Sequence, residues 1–378
     1  MSAGRRLAAL VGGALLLLAC ASGPAAAPPA PAPTAAAARP PQTAAPAASA
    51  PTAAPASSAP APLQPPVKVR FAFQYLLTDA PVYLAVERGY FAEEGLDVEP
   101  IRIQAAAEAI PLLATGGLEV ASGAAAAALY NAVARGADVR IVLEVGGTLP
   151  GFPHYVLAVR KDLVDSGAVR DWADLRGLRI ANTGQGNGLH RGIDLALARG
   201  GLTLADIEMP ILSPPDMLSA FANHAIDAAA LFEPYATVGE EQGVLVRWKR
   251  SDEIAASIPG GVLLYSPAFI DAQREAAQRF VDAYLRGTRD YNDAFLKNRD
   301  REAVLATIAR NVGIDPAIMA KVYPAAIDPD GRVDVASLKD NQDWFVRQGF
   351  VQTPVDVDRI VDTSFADAAV QRFGPYQR

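Results

Sequence analysis

From Val67 onward, short apolar runs alternate with longer stretches whose apolar positions recur at helical spacing. Val67 to Phe73 alternates from residue to residue and predicts a strand. Asp79 then caps a helix that holds Pro81 in its first turn and stops at Gly89. Strands are expected at Val98 to Ile103, Val120 to Ser122 and Arg140 to Val145, separated by helices over Ala105 to Ala114 and Ala124 to Arg135. A second series begins with a strand at Tyr155 to Val159 and another at Arg179 to Ala181. A glycine-rich loop, Gly184-Gln185-Gly186-Asn187-Gly188, then opens a helix that runs to Arg199. Next come a strand at Glu208 to Leu212, a helix near Met217 to Asn223, a strand at Asp227 to Leu231, a helix near Tyr235 to Gln242 and a strand at Val244 to Trp248. One more strand, Val262 to Ser266, precedes helices over Arg274 to Leu296, Arg301 to Asn311 and Val335 to Gln348. Such alternation predicts an α/β chain with mainly parallel sheets, whose ligand sites collect beyond the strand C-termini.

The first 66 residues follow different rules. Arg5 and Arg6 precede an apolar run from Leu7 to Ala19, which at 13 residues is shorter than the roughly 20 that span a bilayer. The run ends in Leu17-Leu18-Ala19-Cys20, which resembles the bacterial lipobox, and Cys20 is the only cysteine in the chain. Residues 1–19 are therefore expected to be a lipoprotein signal peptide, with Cys20 acylated as the mature N-terminus. Of the 46 positions from Ala21 to Pro66, 34 are Ala or Pro and the single charge is Arg39, so residues 20–66 read as a semi-rigid tether without a core. The expected location is extracytoplasmic, with the lipid holding the protein to a membrane in the periplasm or on the outer face of the plasma membrane.

Composition narrows the chemistry. A length of 378 residues with 51% apolar residues allows two packed units. A net charge of −7 without a basic block disfavours nucleic acid as a partner. One Cys and 3 His are too few for metal clusters, disulfide scaffolds or thiol catalysis, so neither metal nor cofactor is expected. No Gly-x-Ser-x-Gly elbow is present. Binding rather than catalysis is the expectation.

The segment Ala80-Pro81-Val82-Tyr83-Leu84-Ala85-Val86-Glu87-Arg88-Gly89-Tyr90-Phe91-Ala92-Glu93-Glu94-Gly95-Leu96-Asp97-Val98 resembles the opening of the SsuA/THI5-like (NMT1-like) solute-binding proteins of ABC importers. Gly117-Leu118-Glu119-Val120-Ala121, Asp174 to Ala181, Ala220 to Ala230 and Glu233-Pro234 are similar to later segments of that family. The resemblance implies a two-lobed, type II periplasmic-binding-protein fold with two hinge crossovers, a small ligand in the cleft and no catalysis. It also implies delivery to a permease and its ATPase, and a monomer is expected. Lobe one then comprises residues 67–158 and a mostly helical part at 262–378, and lobe two comprises 159–261. Closure is expected by bending near Tyr155 to Arg160 and Gly260 to Tyr265. A sensing module for a membrane signalling protein would use the same closure.

Candidate ligand contacts follow from position. Thr183, Gly184, Gln185, Gly186 and Asn187 line a loop that opens a helix, where backbone N–H groups and the positive helix end favour an oxygen-rich or anionic group. Ser122 and Gly123 are the matching pair in lobe one. Tyr75, Phe152, His154 and Tyr155 stand where ring faces could stack on a planar ligand. Asp79 is chiefly a helix cap, His190 chiefly a polar support, and Glu233 either accepts from an amino group or braces the hinge. Sulfonate and nitrate relatives often carry Ser or Thr directly after the loop glycine, whereas Gln185 stands here. The expected ligand is accordingly a small planar nitrogen heterocycle, a pyrimidine thiamine precursor or a flavin, with a sulfonate, taurine or nitrate as the alternative.

Overall fold

The computed structural model describes residues 61–103 and 105–377. The signal segment, Cys20 and the tether as far as Pro60 lie outside the described residues. The last part of the expected tether packs on the body. The Leu63 amide donates to the Glu94 carbonyl at 3.3 Å, and Arg279 donates to the Ala61 carbonyl at 2.7 Å.

Two sheets organise the described residues. The first contains β1 (Val67–Phe73), β2 (Leu96–Arg102), β3 (Val120–Ala124), β4 (Arg140–Thr148) and β9 (Ile258–Tyr265), in the order β2-β1-β3-β9-β4. The second contains β5 (Tyr155–Arg160), β6 (Ile180–Ala181), β7 (Ala228–Phe232) and β8 (Leu245–Arg250), in the order β6-β7-β5-β8. Both sheets are mixed rather than mainly parallel. β9 runs antiparallel to β3 and β4, and β5 runs antiparallel to β7 and β8. The reason lies in connectivity: the chain leaves the first sheet after β4, builds the second, and returns through β9, which inserts backwards between β3 and β4. Glu208 to Leu212, expected as a strand, makes only isolated bridges, Arg179 with Glu208 and Asn182 with Ile211. Pro210 in its middle has no N–H to extend a ladder.

Both sheets are covered on both faces. Val69, Phe71 and Phe73 of β1 meet the long helix Pro267–Leu296, where Phe71 and Phe280 pack edge to face with ring centres 5.3 Å apart. On the other face Ala72, Ala121 and Leu264 pack with Tyr130, Leu113 and Trp344. β5 is apolar at successive positions because it too is buried on both sides. Tyr155, Leu157 and Val159 face Leu189 and Ile193, while Val156 and Ala158 face Met217 and Phe221. Each such large side chain contributes about 1.5–3 kcal/mol on burial.

The chain passes between the sheets twice, through residues 149–154 and 251–257. Lines drawn at 158/159 and 261/262 fall inside β5 and β9, since both strands stay apolar across them. The turn signal is Pro150-Gly151, in a tight loop where Leu149 and Phe152 exchange backbone hydrogen bonds. Ser251, fully buried, joins the two passages: its hydroxyl accepts from the His154 amide at 2.9 Å and from the Thr148 hydroxyl at 2.9 Å.

Candidate functional site

The C-terminal ends of β1, β2 and β3 share one edge of the first sheet, and the second unit lies beyond it. Just after β1, Tyr75 adopts a left-handed backbone with φ of 62°, a conformation that costs a side-chain-bearing residue about 1–2 kcal/mol. Asp79 holds it there. Its buried carboxylate accepts from the Leu76 amide at 2.9 Å, and the Gln74 and Tyr75 amides and the Ser122 side chain favour its charged form from nearby. Burial pushes this carboxyl up to about 6, while those hydrogen bonds, the Leu76 amide foremost, pull it back. The Tyr83 hydroxyl secures the same turn by donating to the Leu76 carbonyl at 3.0 Å. Asp79 precedes the helix Ala80–Glu87, as expected, but its side chain makes no capping bond to that helix. It organises the loop instead.

Tyr75 does not offer an open ring face. Its ring stacks on Phe73 with centres 4.5 Å apart, and the Arg102 guanidinium lies over it at 5.0 Å. Ser122 is half-buried at the same edge, tied to Tyr75 through Asp79. Gly123 serves the sheet, because a Cβ there would stand 2.6 Å from the Leu264 side chain.

In the second unit Asn182, Thr183 and Asn187 build the glycine loop. Asn182 accepts from the Thr183 amide at 2.8 Å and donates to the Gly184 carbonyl at 2.6 Å. Asn187 caps the helix Gly188–Arg199 by accepting from the His190 amide at 2.8 Å, and donates to the Thr183 hydroxyl at 3.2 Å. Gln185 is exposed at the tip. His190 supports the loop: Nδ1 accepts from the Gly186 amide at 3.2 Å, and the ring lies 5.3 Å from Trp344 and 5.1 Å from Phe350. Burial holds its pKa below the usual imidazole value.

The two units meet at this loop. The Gly186 carbonyl accepts from the Ala127 amide at 2.8 Å, so the start of the helix Gly188–Arg199 faces the start of the helix Ala127–Ala134. The latter helix has no side-chain cap. Gly186 has φ of 63°, and a Cβ there would come 2.9 Å from the Ala127 Cβ. Beside this contact Trp344 Nε1 donates to Asp194 at 2.8 Å, and Arg191 reaches Asp340 and, at 3.3 Å, Asn341. Asn341 in turn donates to the Ala125 carbonyl at 2.9 Å.

At the crossovers His154 packs edge to face on Phe232, with centres 5.0 Å apart, and a Cβ on Gly260 would stand 2.6 Å from its Nε2. Burial pushes His154 down to about 4, so it is neutral at pH 7, and its buried Nδ1 has no hydrogen-bond partner among the described residues. Phe152 stands half-buried on the crossover turn. Tyr155 is a core residue and not a cleft wall: its ring is buried, and its hydroxyl occupies the space a Cβ on Gly192 would need. Glu233 is a brace. It accepts from the Thr237 amide and hydroxyl at 3.1 and 2.7 Å, from Arg247 at 3.0 Å and from the Tyr323 amide at 3.4 Å, which leaves it no capacity for a ligand amine.

Three residues outside the expected set matter here. Asn182 carries a legible signal, an Asn directly after a strand, where its side chain closes a local turn. Arg102 and Asn341 carry none, because their roles depend on which strand end and which distant helix reach the same edge.

Two mixed α/β sheets joined by two crossovers, with helix starts facing each other between them, define a two-lobed periplasmic-binding-protein fold. By sequence the chain belongs to the NMT1-like family, whose model matches residues 63–309. A protein of Escherichia coli (strain K12) assigned to aliphatic sulfonate binding is 26% identical over 202 residues, covering 52% of this chain and 60% of that protein's length. The alkanesulfonate-binding protein SsuA of Xanthomonas axonopodis pv. citri, solved with MOPS bound, has a TM-score of 0.64 at 22% identity, over 79% of this chain and 99% of its own. The periplasmic nitrate-binding protein NrtA of Synechocystis PCC 6803 has a TM-score of 0.67 at 16% identity, over 83% of this chain and 90% of its own. At these identities the two solved structures establish the fold.

Proposed function

We propose that this chain is the extracytoplasmic solute-binding component of an ABC importer, and that it captures a small organic sulfonate between its lobes and delivers it to a permease. The observation that carries the reading is the Ala127 to Gly186 hydrogen bond, which brings two helix N-termini together across the lobes. Each helix start presents partial positive charge, worth about 0.3–1 kcal/mol toward an anion at an exposed site and more once water is excluded. The sulfonate assignment of the Escherichia coli relative points the same way.

The planar heterocycle expected from the sequence is the weaker reading. It needed open ring faces and a free carboxylate, yet Tyr75 is covered, Tyr155 lies in the core and Glu233 is engaged by Arg247, Thr237 and Tyr323. Nitrate is the inorganic alternative. The reading includes no catalytic step. Cys20 anchors the protein by its lipid, the lobes close by bending at residues 149–154 and 251–257, and the protein acts as a monomer.

Titration calorimetry with ethanesulfonate, taurine, nitrate, an aminopyrimidine and riboflavin tests the ligand, and small-angle scattering tests closure. The expected result is sulfonate binding with compaction on saturation. Binding of the pyrimidine or the flavin, with no heat from any sulfonate, overturns the reading.

A further inference from the structure

We infer that Arg102 reads the ligand's anionic head, acting as the specificity-determining cation of the lobe-one wall; the inference rests on the organic-anion reading of the cleft. Arg102 is the last residue of β2 and lies opposite Phe73 of β1 in parallel register. That places it on the sheet edge from which Ala127, just beyond β3, reaches Gly186 of lobe two. Its guanidinium lies over the Tyr75 ring at 5.0 Å. The guanidinium carries its N–H donors along the edge of a plane, a fork matched to two oxygens of one anionic group.

Arg102 has no carboxylate partner among the described residues. Other arginines where the lobes approach are committed: Arg191 to Asp340, Arg247 to Glu233 and Glu240, and Arg250 to Asp252. The seat beneath Arg102 is built at some cost. Tyr75 is kept in its left-handed conformation by the buried Asp79 carboxylate, and that conformation sets the ring under the guanidinium. Sparsely populated backbone held by surrounding structure collects at ligand sites. Arg102 is exposed where the lobes already meet, and an exposed arginine gains little from an ion pair in water. A sulfonate seated on its fork covers the guanidinium, and the pair strengthens as that water is removed.

Calorimetry on the full chain tests this with ethanesulfonate and its uncharged analogue ethyl methyl sulfone, comparing wild type, Arg102→Gln and Arg102→Lys. Arg102→Gln is expected to weaken ethanesulfonate binding about tenfold or more, to leave sulfone binding unchanged, and to flatten the salt dependence. Arg102→Lys is expected to recover part of the affinity, since it restores charge without the fork. Wild-type affinity for ethanesulfonate in Arg102→Gln overturns the inference and leaves the sulfonate reading standing. Equal losses for sulfonate and sulfone also overturn it, because they report a damaged cleft rather than a lost charge contact. Failure of the wild type to bind any sulfonate overturns both.

Discussion

Thr148 donates its hydroxyl proton to the Ser251 hydroxyl at 2.9 Å, and by this contact the end of β4 and the start of the returning crossover are held together. The same Ser251 oxygen accepts from the His154 amide at 2.9 Å, so one buried atom fixes both passages between the lobes. Ser251→Ala leaves the buried Thr148 hydroxyl and the half-buried His154 amide short of a partner. Unfolding free energy is expected to fall by about 1–3 kcal/mol in urea titration. The unliganded protein should also show a larger radius of gyration by small-angle scattering. A variant with wild-type midpoint and wild-type scattering shows that the hydroxyl does not clasp the hinge.

Gly186 tests the interlobe contact itself. Ala at this position faces two penalties, a left-handed backbone with φ of 63° and a Cβ 2.9 Å from Ala127. The backbone penalty of about 1–2 kcal/mol is present in both open and closed protein, whereas the collision arises only when the lobes meet. Gly186→Ala should therefore lose stability modestly and lose ligand-driven compaction largely. Its ligand affinity should fall by about tenfold, corresponding to about 1.4 kcal/mol charged to the closed state alone. Compaction like the wild type would show that the lobes do not close through this loop.

Much of the architecture is legible in the sequence, because the apolar runs of β1, β5 and β7, the helix signal at Pro81 and the glycine loop before the helix Gly188–Arg199 act locally. What is not legible is pairing at a distance. Nothing local says that β9 inserts antiparallel between β3 and β4, whereas Pro210 is itself a local signal against the strand expected at Glu208 to Leu212. The site divides the same way. The loop from Thr183 to Asn187 is fixed by near neighbours such as Asn182, and the sequence reveals it. Tyr75, Tyr155 and Glu233 are ambiguous in the sequence because an aromatic ring or a carboxylate serves a core as well as a ligand. Only their partners decide: Phe73 and Arg102 for the first, Gly192 for the second, Arg247 for the third.

Two buried groups give the protein opposing responses to acid. His154 is pushed down to about 4 by burial, against 6.5 when unfolded, so between those values the unfolded chain binds a proton that the folded chain refuses. Its contribution to stability is complete above pH 6.5 and falls as pH drops toward 4. Asp79 works the other way. Its folded carboxyl is raised to about 6 from 3.8, chiefly by burial, so the folded state holds its proton more tightly and this contribution rises as pH falls through that window. The two are separable by substitution. His154→Gln should reduce the acid sensitivity of unfolding by at most about 1.4 kcal/mol per pH unit between pH 6.5 and 4, measured by urea titration at pH 7 and pH 5. Ligand affinity should follow Asp79 instead, because its protonation below pH 6 removes acceptor capacity from the Leu76 amide, which holds the turn that carries Tyr75. Wild-type affinity is expected to weaken below pH 6, whereas Asp79→Asn should bind weakly with little pH dependence. A His154→Gln stability profile parallel to the wild type would mean that the imidazole titrates in the folded protein as it does in water. An affinity profile in Asp79→Asn that still bends near pH 6 would assign that titration to a different group.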